Sequence, residues 1–498
     1  MKYRVVELAK INIFSSFMKS IGAFVVLVLF LMLFNSCQEG NDFSDSEELS
    51  LSFSNDTIRF DTVFTTLGSA TKQFKIYNRN NNSLTIQSIE LVNASKSGFR
   101  MNIDGEKGTK LTNVDILKKD SLYGFVEVTL KKDSLYGFVE VTVDPTNTKN
   151  PVLIRDSIRL VVNGNIQYVQ LEAVGQDVYI WKDKVVTTDS VITGDKPLLI
   201  YNSLTINKGV TLDVQKGTTF FLQNNASVDI YGSIIAQGTV QEPIIFRGSR
   251  FDNIDGNIPY DNTPGQWNGI TFHAESYGNV LNNVIVKNAV RGVTFSAADI
   301  QYKKAEFANT IVQNTSEYGL LAINCYINFQ NCLFANSKGA AISLIGGKYN
   351  FLHCTLANYY RWSMRQKECL VVGNVYEGKA YDLDKCDFIN SIVSGSVSGE
   401  LLLSGVSTVA YNYRFQNCLI KATEQKNEHF VNTVWNADPL FVNMNNNKDY
   451  SYNFELQATS PAIGKADRSY SLLLPYDLKG RSRLTDTDPD IGCYELGE

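Results

Sequence analysis

Histidine is scarce in this chain of 498 residues: there are three, His273, His353 and His429. His353 reads as a structural variant of a repeated Asn, and neither His273 nor His429 has an obvious partner. No basic run occurs, and a formal charge of −5 argues against nucleic acid as a partner. The 3.6-residue period of an amphipathic helix is missing from the second half, where apolar residues alternate instead. The apolar run Ile21 to Phe34, about 14 residues, is too short to span a bilayer comfortably. Setting Cys37 aside, Cys325, Cys332, Cys354, Cys369, Cys386, Cys418 and Cys493 remain; an odd number cannot all pair, which favours free, buried thiols.

What is present is a repeat. Asn309-Thr310-Ile311, Asn331-Cys332-Leu333 and His353-Cys354-Thr355 stand 22 residues apart, each with Phe two residues upstream (Phe307, Phe329, Phe351). Asn283, Asn390 and Asn417 open the same triplet at longer spacings. A period of this length is one turn of a solenoid, and the flanking Val, Ile, Leu, Phe and Thr make it a β-solenoid. In Phe329–Phe334 the small or apolar residues fall at −2, +1 and +3 from the Asn, so the inward face changes phase there. A bend with Asn in the left-handed region explains the change and predicts Asn side chains bonded up the stack. Gly292, Gly319 and Gly339 mark the next corner.

The text GTTFFLQNNASVDIYGSIIAQGT…PIIF followed by GQWNGITF resembles the opening coils of right-handed parallel β-helix proteins of the pectin-lyase-like superfamily. The resemblance covers roughly Leu199 to Asn417. It implies an all-β chain with a right-handed parallel β-helix, but no particular reaction, because that superfamily holds lyases, glycosidases, esterases and adhesins.

The N-terminus carries an address. Ile21–Phe34 has the length of a signal-peptide core, and Leu33-Phe34-Asn35-Ser36-Cys37 resembles a bacterial lipobox with Cys37 as the acylated residue. An uncleaved anchor helix is the alternative. The long stretch before the core leaves Met18 as a second candidate start. Glu39, Asp42, Asp45, Glu47 and Glu48 form either a surface-export signal or a plain tether. Either way the body works outside the cytoplasm; an outer-membrane lipoprotein, surface-exposed or not, is expected, and separately a monomer.

The expected organisation is a signal peptide (1–36), an acidic tether (37–48), an immunoglobulin-like β-sandwich (49–177), the β-helix (178–436) and a C-terminal module (437–498). The sandwich follows from short alternating runs separated by turn clusters. Inside it Leu117–Thr129 (LKKDSLYGFVEVT) is repeated unchanged as Leu130–Thr142. Thirteen is odd, so one continuous strand would invert its faces; an extra hairpin at Lys131–Ser134 or a looped-out copy is expected. The succession ADPLFVN, YNFELQATSPAIGKAD, DLKGRSR and DPDIGCYE resembles the choice-of-anchor module of exported β-helices, and a cap over the open solenoid end is its plausible job.

Candidate chemistry falls into two groups. Tyr359, Tyr360, Arg361, Trp362 and Arg365 open the longest interruption of the repeat; aromatic faces stack on sugars, and Arg pairs with uronate carboxylates. Asp252, Asp255 and Asp261 in one insertion, and Asp486, Asp488 and Asp490 near the C-terminus, offer oxygens to calcium, without the spacing of an EF-hand. A polygalacturonase-like Gly-His-Gly segment is missing. A lyase would need a Lys or Arg base, for which Lys287, Arg291, Lys338 and Arg361 are available. Two readings stand. One is a non-catalytic, lipid-anchored envelope protein that binds glycan or another surface component along the solenoid, with no convergent charged cluster on the coils. The other is a polysaccharide lyase or glycoside hydrolase, which demands a groove with paired acids, or a Lys or Arg base beside a cation site.

Overall fold

The computed structural model describes residues 42–64, 69, 71–128, 152–251, 253–254, 258–444, 449–485 and 487–497. Cys37, the signal-peptide run, Asp252, Asp255, Asp486 and the second copy of the duplicated segment lie outside the described residues.

Two five-stranded sheets come first. One runs in the order Ser52–Phe53, Lys72–Tyr77, Ser121–Val128, Phe99–Ile103, Glu106–Gly108. The other runs Thr57–Phe64, Asn165–Gln176, Val152–Val162, Leu84–Leu91, Lys110–Ile116. The alternation read from the sequence puts Phe74, Ile76, Ile86, Ile89, Val126, Leu160 and Leu171 into one core between the sheets. The pairing is antiparallel except where Thr57–Phe64 joins Asn165–Gln176 in parallel.

The rest is a parallel β-helix. An 18-stranded sheet and a 10-stranded sheet are parallel throughout their pairings. One coil shows the plan: Ile311–Thr315 forms a first face, Leu320–Ile323 a second and Tyr326–Gln330 a third, before Leu333–Ser337 starts the next coil. The larger sheet alternates first and second faces; the smaller is the third. Between third and first faces the backbone passes through Asn283, Asn309, Asn331, His353, Asn390 and Asn417, with φ of 51, 47, 50, 51, 50 and 49°. The bend is left-handed, as the phase change requires, and Phe329, Cys332 and Phe334 all point into the core. Asn331 donates to Asn309 and Asn309 to Asn282, each at 3.0 Å. Phe329, Phe351, Phe388 and Phe415 stack on one another at 4.3, 4.2 and 5.0 Å between centroids. Each fully buried Phe contributes about 1.5–3 kcal/mol. The corner glycines answer to crowding: a Cβ on Gly292 would lie 2.3 Å from the Gly319 carbonyl oxygen one coil up. All seven described cysteines are free and buried.

The segment from Ala437 lies along the flank of the coils, where the sequence reading set it over the open end. The outward positions of the first face explain why. Leu333, Ala335, Ala357, Ile392 and Leu419 are apolar or small, and they are sealed by Phe441, Phe454, Leu456, Ala462, Ile491 and Cys493. The segment also reads the bend column: Asn331 donates to Tyr476 O, Asn390 to Asp467 O and Asn417 to Lys465 O. Arg483, fully buried, bonds Glu495, Gly492 O and the Asn331 side chain. At the end of the stack, Tyr413, Phe430 and Trp435 pack against the core instead.

His353 takes the bend where the segment presents Ser471, 2.9 Å from its Nε2. Burial, with Arg483 nearby, holds its imidazole well below the ordinary histidine pKa. The folded state thus keeps it neutral while the unfolded chain protonates below about pH 6.5. Its contribution is complete above that pH and declines as pH falls, by up to about 1.4 kcal/mol per unit. His353→Asn restores the residue used at the other bends. Urea midpoints of the two proteins should converge near neutrality and separate toward about pH 5, with the native chain losing more; parallel curves would clear His353 of the effect.

Candidate functional site

The first face is covered at both ends and open between them. At the N-terminal end Leu199 and Phe221 are buried under Phe64 and Val178 of the sandwich side. At the C-terminal end the flank segment does the same for Leu333 to Leu419. Between these covers the outward side chains Ile245, Arg247, Ile285, Lys287, Ile311 and Gln313 stand only partly covered. They are adjacent rungs, with Ile245 beside Ile285, Ile285 beside Ile311 and Lys287 beside Gln313. A cavity of about 350 Å³ opens over Ile285 and Ile311, walled by Val240 and Pro243 on one side and Leu478 and Tyr494 on the other.

Two residues further along the same strands from Ile245 and Ile285, beyond the residues that line this cavity, the face is cationic. Asp261, from the insertion between first and second faces, accepts from Lys287 Nζ at 2.7 Å and Arg247 Nη2 at 3.1 Å. The two cations are 16% and 12% exposed, so they are largely dehydrated yet reachable. Burial pushes both below their ordinary pKa, against the pull of Asp261. The insertion is pinned from below by Asn288, whose side chain donates to Asp261 O and Thr263 O. Arg250 lies over the Tyr260 ring at 3.4 Å. Asn262 donates to Asp449 O, which places Tyr450 next in line.

The five residues singled out around Tyr359 do not converge. Trp362 stacks on Tyr450 at 4.5 Å, a partner that no local pattern points to. Arg361 donates to Met444 O. Tyr359 packs on Phe441 and Phe454, and its hydroxyl meets Ser394 at 3.0 Å. Tyr360 is buried. Arg365 forms a bidentate pair with fully buried Glu400, which also accepts from the Val397 and Cys369 amides. Three of the five are therefore framework, and Trp362 with Arg361 remain at the surface.

The carboxylates considered for calcium are engaged otherwise. Asp261 serves two cations, and Asp490 accepts from the Gly464 and Leu496 amides at 2.8 Å. Asp488 accepts from the Thr487 hydroxyl. Among the described residues no three His, Cys, Asp or Glu gather as a metal site. His273 has the partner its sequence context concealed: Asp229 Oδ1 lies 3.1 Å from Nε2, and Tyr231 stacks on the ring at 3.8 Å. Asp229 and His273 sit on neighbouring rungs 44 residues apart, a contact the insertion hides from a 22-residue period. His429 Nδ1 meets Tyr413 O.

No family model matches the chain, and no curated protein does. Among solved structures it is similar to a family 123 glycoside hydrolase from Clostridium perfringens, described for glycolipid glycan hydrolysis. That likeness has 6% identity and a TM-score of 0.17, covering 27% of this chain and 30% of that one. It is also similar to the catalytic unit of a thermostable GH87 alpha-1,3-glucanase from Streptomyces thermodiastaticus, at 10% identity and a TM-score of 0.24, over 73% of this chain and 88% of that one. The chain thus spans under a third of the first of these. At these values neither likeness assigns an activity.

Replacing Arg365 by Ala strands the Glu400 carboxylate in a dry site and is expected to cost about 3–5 kcal/mol. Trp362→Ala loses one ring pair, about 0.5–1.5 kcal/mol beyond its buried area. Denaturant midpoints separate the two, and equal losses would make Trp362 framework as well.

Proposed function

We propose that this chain is a carbohydrate-active β-helix of the cell envelope that takes an anionic polysaccharide across the open stretch of its first face. The observation that carries the reading is the pair Arg247 and Lys287, two largely buried cations sharing one carboxylate. A dehydrated site with more positive than negative groups favours an incoming carboxylate or sulfate. The apolar floor at Ile285 and Ile311 suits the less polar faces of sugar rings, and the Trp362–Tyr450 pair lies beyond Asn262 and Asp449 as a second contact. On this reading Cys37 carries the lipid, residues 37–48 are the tether, the sandwich is an immunoglobulin-like spacer, and the outer membrane is the site of work.

Binding alone is the first form of the proposal. Cleavage is the second: Lys287 would take the proton α to a uronate carboxylate that Arg247 neutralises, as the glycosidic oxygen leaves from the adjacent ring carbon. The cluster of Arg247, Lys287 and Asp261 departs from the uncharged coil face expected for binding alone; the enzymatic alternative requires paired acids in a groove or a Lys or Arg base beside a cation site, and Lys287 beside Arg247 is the candidate for the second arrangement.

The test uses the protein from Gln38 onward on gels loaded with polyuronate, sulfated or neutral polysaccharide. Retardation by the anionic polymers, weakened at least about tenfold in Arg247→Ala and by added salt, is expected. Equal retardation by neutral polymer, or no response to Arg247→Ala, would refute the anionic reading. Unsaturated ends followed by ultraviolet absorbance decide the second form. Their release by the native protein but not by Lys287→Ala establishes elimination, and binding without release restricts the protein to recognition.

A further inference from the structure

The strand Thr57–Phe64 runs parallel to Asn165–Gln176, with Phe64 beside Gln176, so it ends where the chain leaves the sandwich for the solenoid. Its last side chain, Phe64, is buried against the first face of the coils. Three rings meet there. Phe64 lies 5.1 Å from Phe221 and 6.0 Å from Phe251, and those two lie 5.1 Å apart at 70°. Phe221 belongs to the coil strand Thr219–Leu222, and Phe251 to the insertion that also carries Asp261. The sandwich, the coils and the insertion are thus joined at one aromatic contact.

Arg247 leans on that contact. It stands on the rung next to Phe221, and its guanidinium lies 4.3 Å from the Phe251 centroid and 5.8 Å from that of Phe221. A cation over a ring face is attracted by the ring quadrupole, and more strongly where water is excluded. Nε donates to Gly248 O and Nη2 to Arg250 O, and Nη2 also meets Asp261. Nη1 has no partner among the described residues, so its two N–H groups are left for an incoming group. We propose that Phe64 is a positioning residue for the anion site, an inference that rests on the reading of Arg247 as the residue that takes the anion. By seating Phe221 and Phe251, Phe64 fixes the plane of the guanidinium and makes the sandwich part of the site as well as a spacer. A guanidinium already oriented loses less rotamer freedom when an anion arrives. Without Phe64 the two rings lose a packing partner, Arg247 regains rotamers, and affinity falls although no group that touches the polymer has changed.

Affinity gels loaded with polyuronate, run with the full chain in nonionic detergent, test the positioning role. Phe64→Ala and Phe251→Ala are each expected to weaken retardation at least about threefold and to leave migration with neutral polymer unchanged. Neither should add to the loss caused by Arg247→Ala, because both act through that side chain. Neither ring belongs to the core between the sandwich sheets, so both variants should fold. Phe251→Ala lies outside the sandwich altogether and reads the contact even where Phe64→Ala unsettles that domain. Native retardation in either folded variant, with Arg247→Ala weakened, would overturn the positioning role alone. So would a further loss on top of Arg247→Ala. If Arg247→Ala itself changes nothing, the anion site falls, and the positioning role with it.

Discussion

From Asn283 onward the solenoid depends on one backbone conformation, the left-handed residue between third and first faces. Alternation along a strand sends every second side chain inward. A coil that closes must break that alternation without leaving a polar group inside, and one residue at positive φ does so. Asn fits because it tolerates the region and because its amide both donates and accepts, so consecutive bends satisfy one another. Where His353 replaces Asn, the column continues through Asn390, whose amide lies 3.0 Å from His353 Nε2. The phase change also decides which residues form the outer surface of the first face. Once Phe329, Cys332 and Phe334 are inside, Leu333 and Ala335 must be outside, and they are too apolar for water.

That consequence organises the rest of the molecule. An apolar outer face has to be covered, and the flank segment from Ala437 covers it while fastening to the Asn column that created it. The sandwich side covers the same face at its other end through Phe64 on Phe221, 5.1 Å apart. Two covers of fixed length on one stack leave a stretch between them. There the outward residues change character, to Arg247, Lys287 and Gln313 beside three isoleucines. The opening is therefore a product of how the face is closed elsewhere, and the insertion that bears Asp261 is anchored on the same stack by Asn288.

The bend was legible because its signature is local: six residues around Asn331 show the inversion. The two sheets of the sandwich were legible for the same reason, from period-two alternation. The parallel entry of Thr57–Phe64 was not, since strand direction leaves no mark in a single run. Nor was the flank position of the C-terminal segment, although Ala335 and Ala357, small residues at outward positions 22 apart, carried the trace of it. The site was least legible. Arg247 and Lys287 are 40 residues apart, on coils lengthened by the insertion, and only the pairing of Ile245 with Ile285 aligns them. Tyr359 and Arg365 show the converse: residues that could have formed a ligand platform are taken up by packing and by Glu400.

The buried charges of this chain sort into two kinds, and the contrast supports the assignment of the opening. Arg365 and Glu400 satisfy each other, with the remaining carboxylate capacity filled by backbone amides. Arg483 is matched by Glu495, a carbonyl and Asn331. Lys304 has no carboxylate but is enclosed by the carbonyls of His273, Ala274 and Ser276. Each of these is closed, so each fixes a corner or a docking and offers nothing to an incoming group. Arg247 and Lys287 differ in two respects: they share a single carboxylate, and they reach the surface. Arg247 also donates to the Gly248 and Arg250 carbonyls and lies over the Phe251 ring, but the pair with Asp261 still carries one more positive than negative charge. A second anion would balance that charge, and this is the ground on which the proposal of an acidic polymer at this margin of the first face rests.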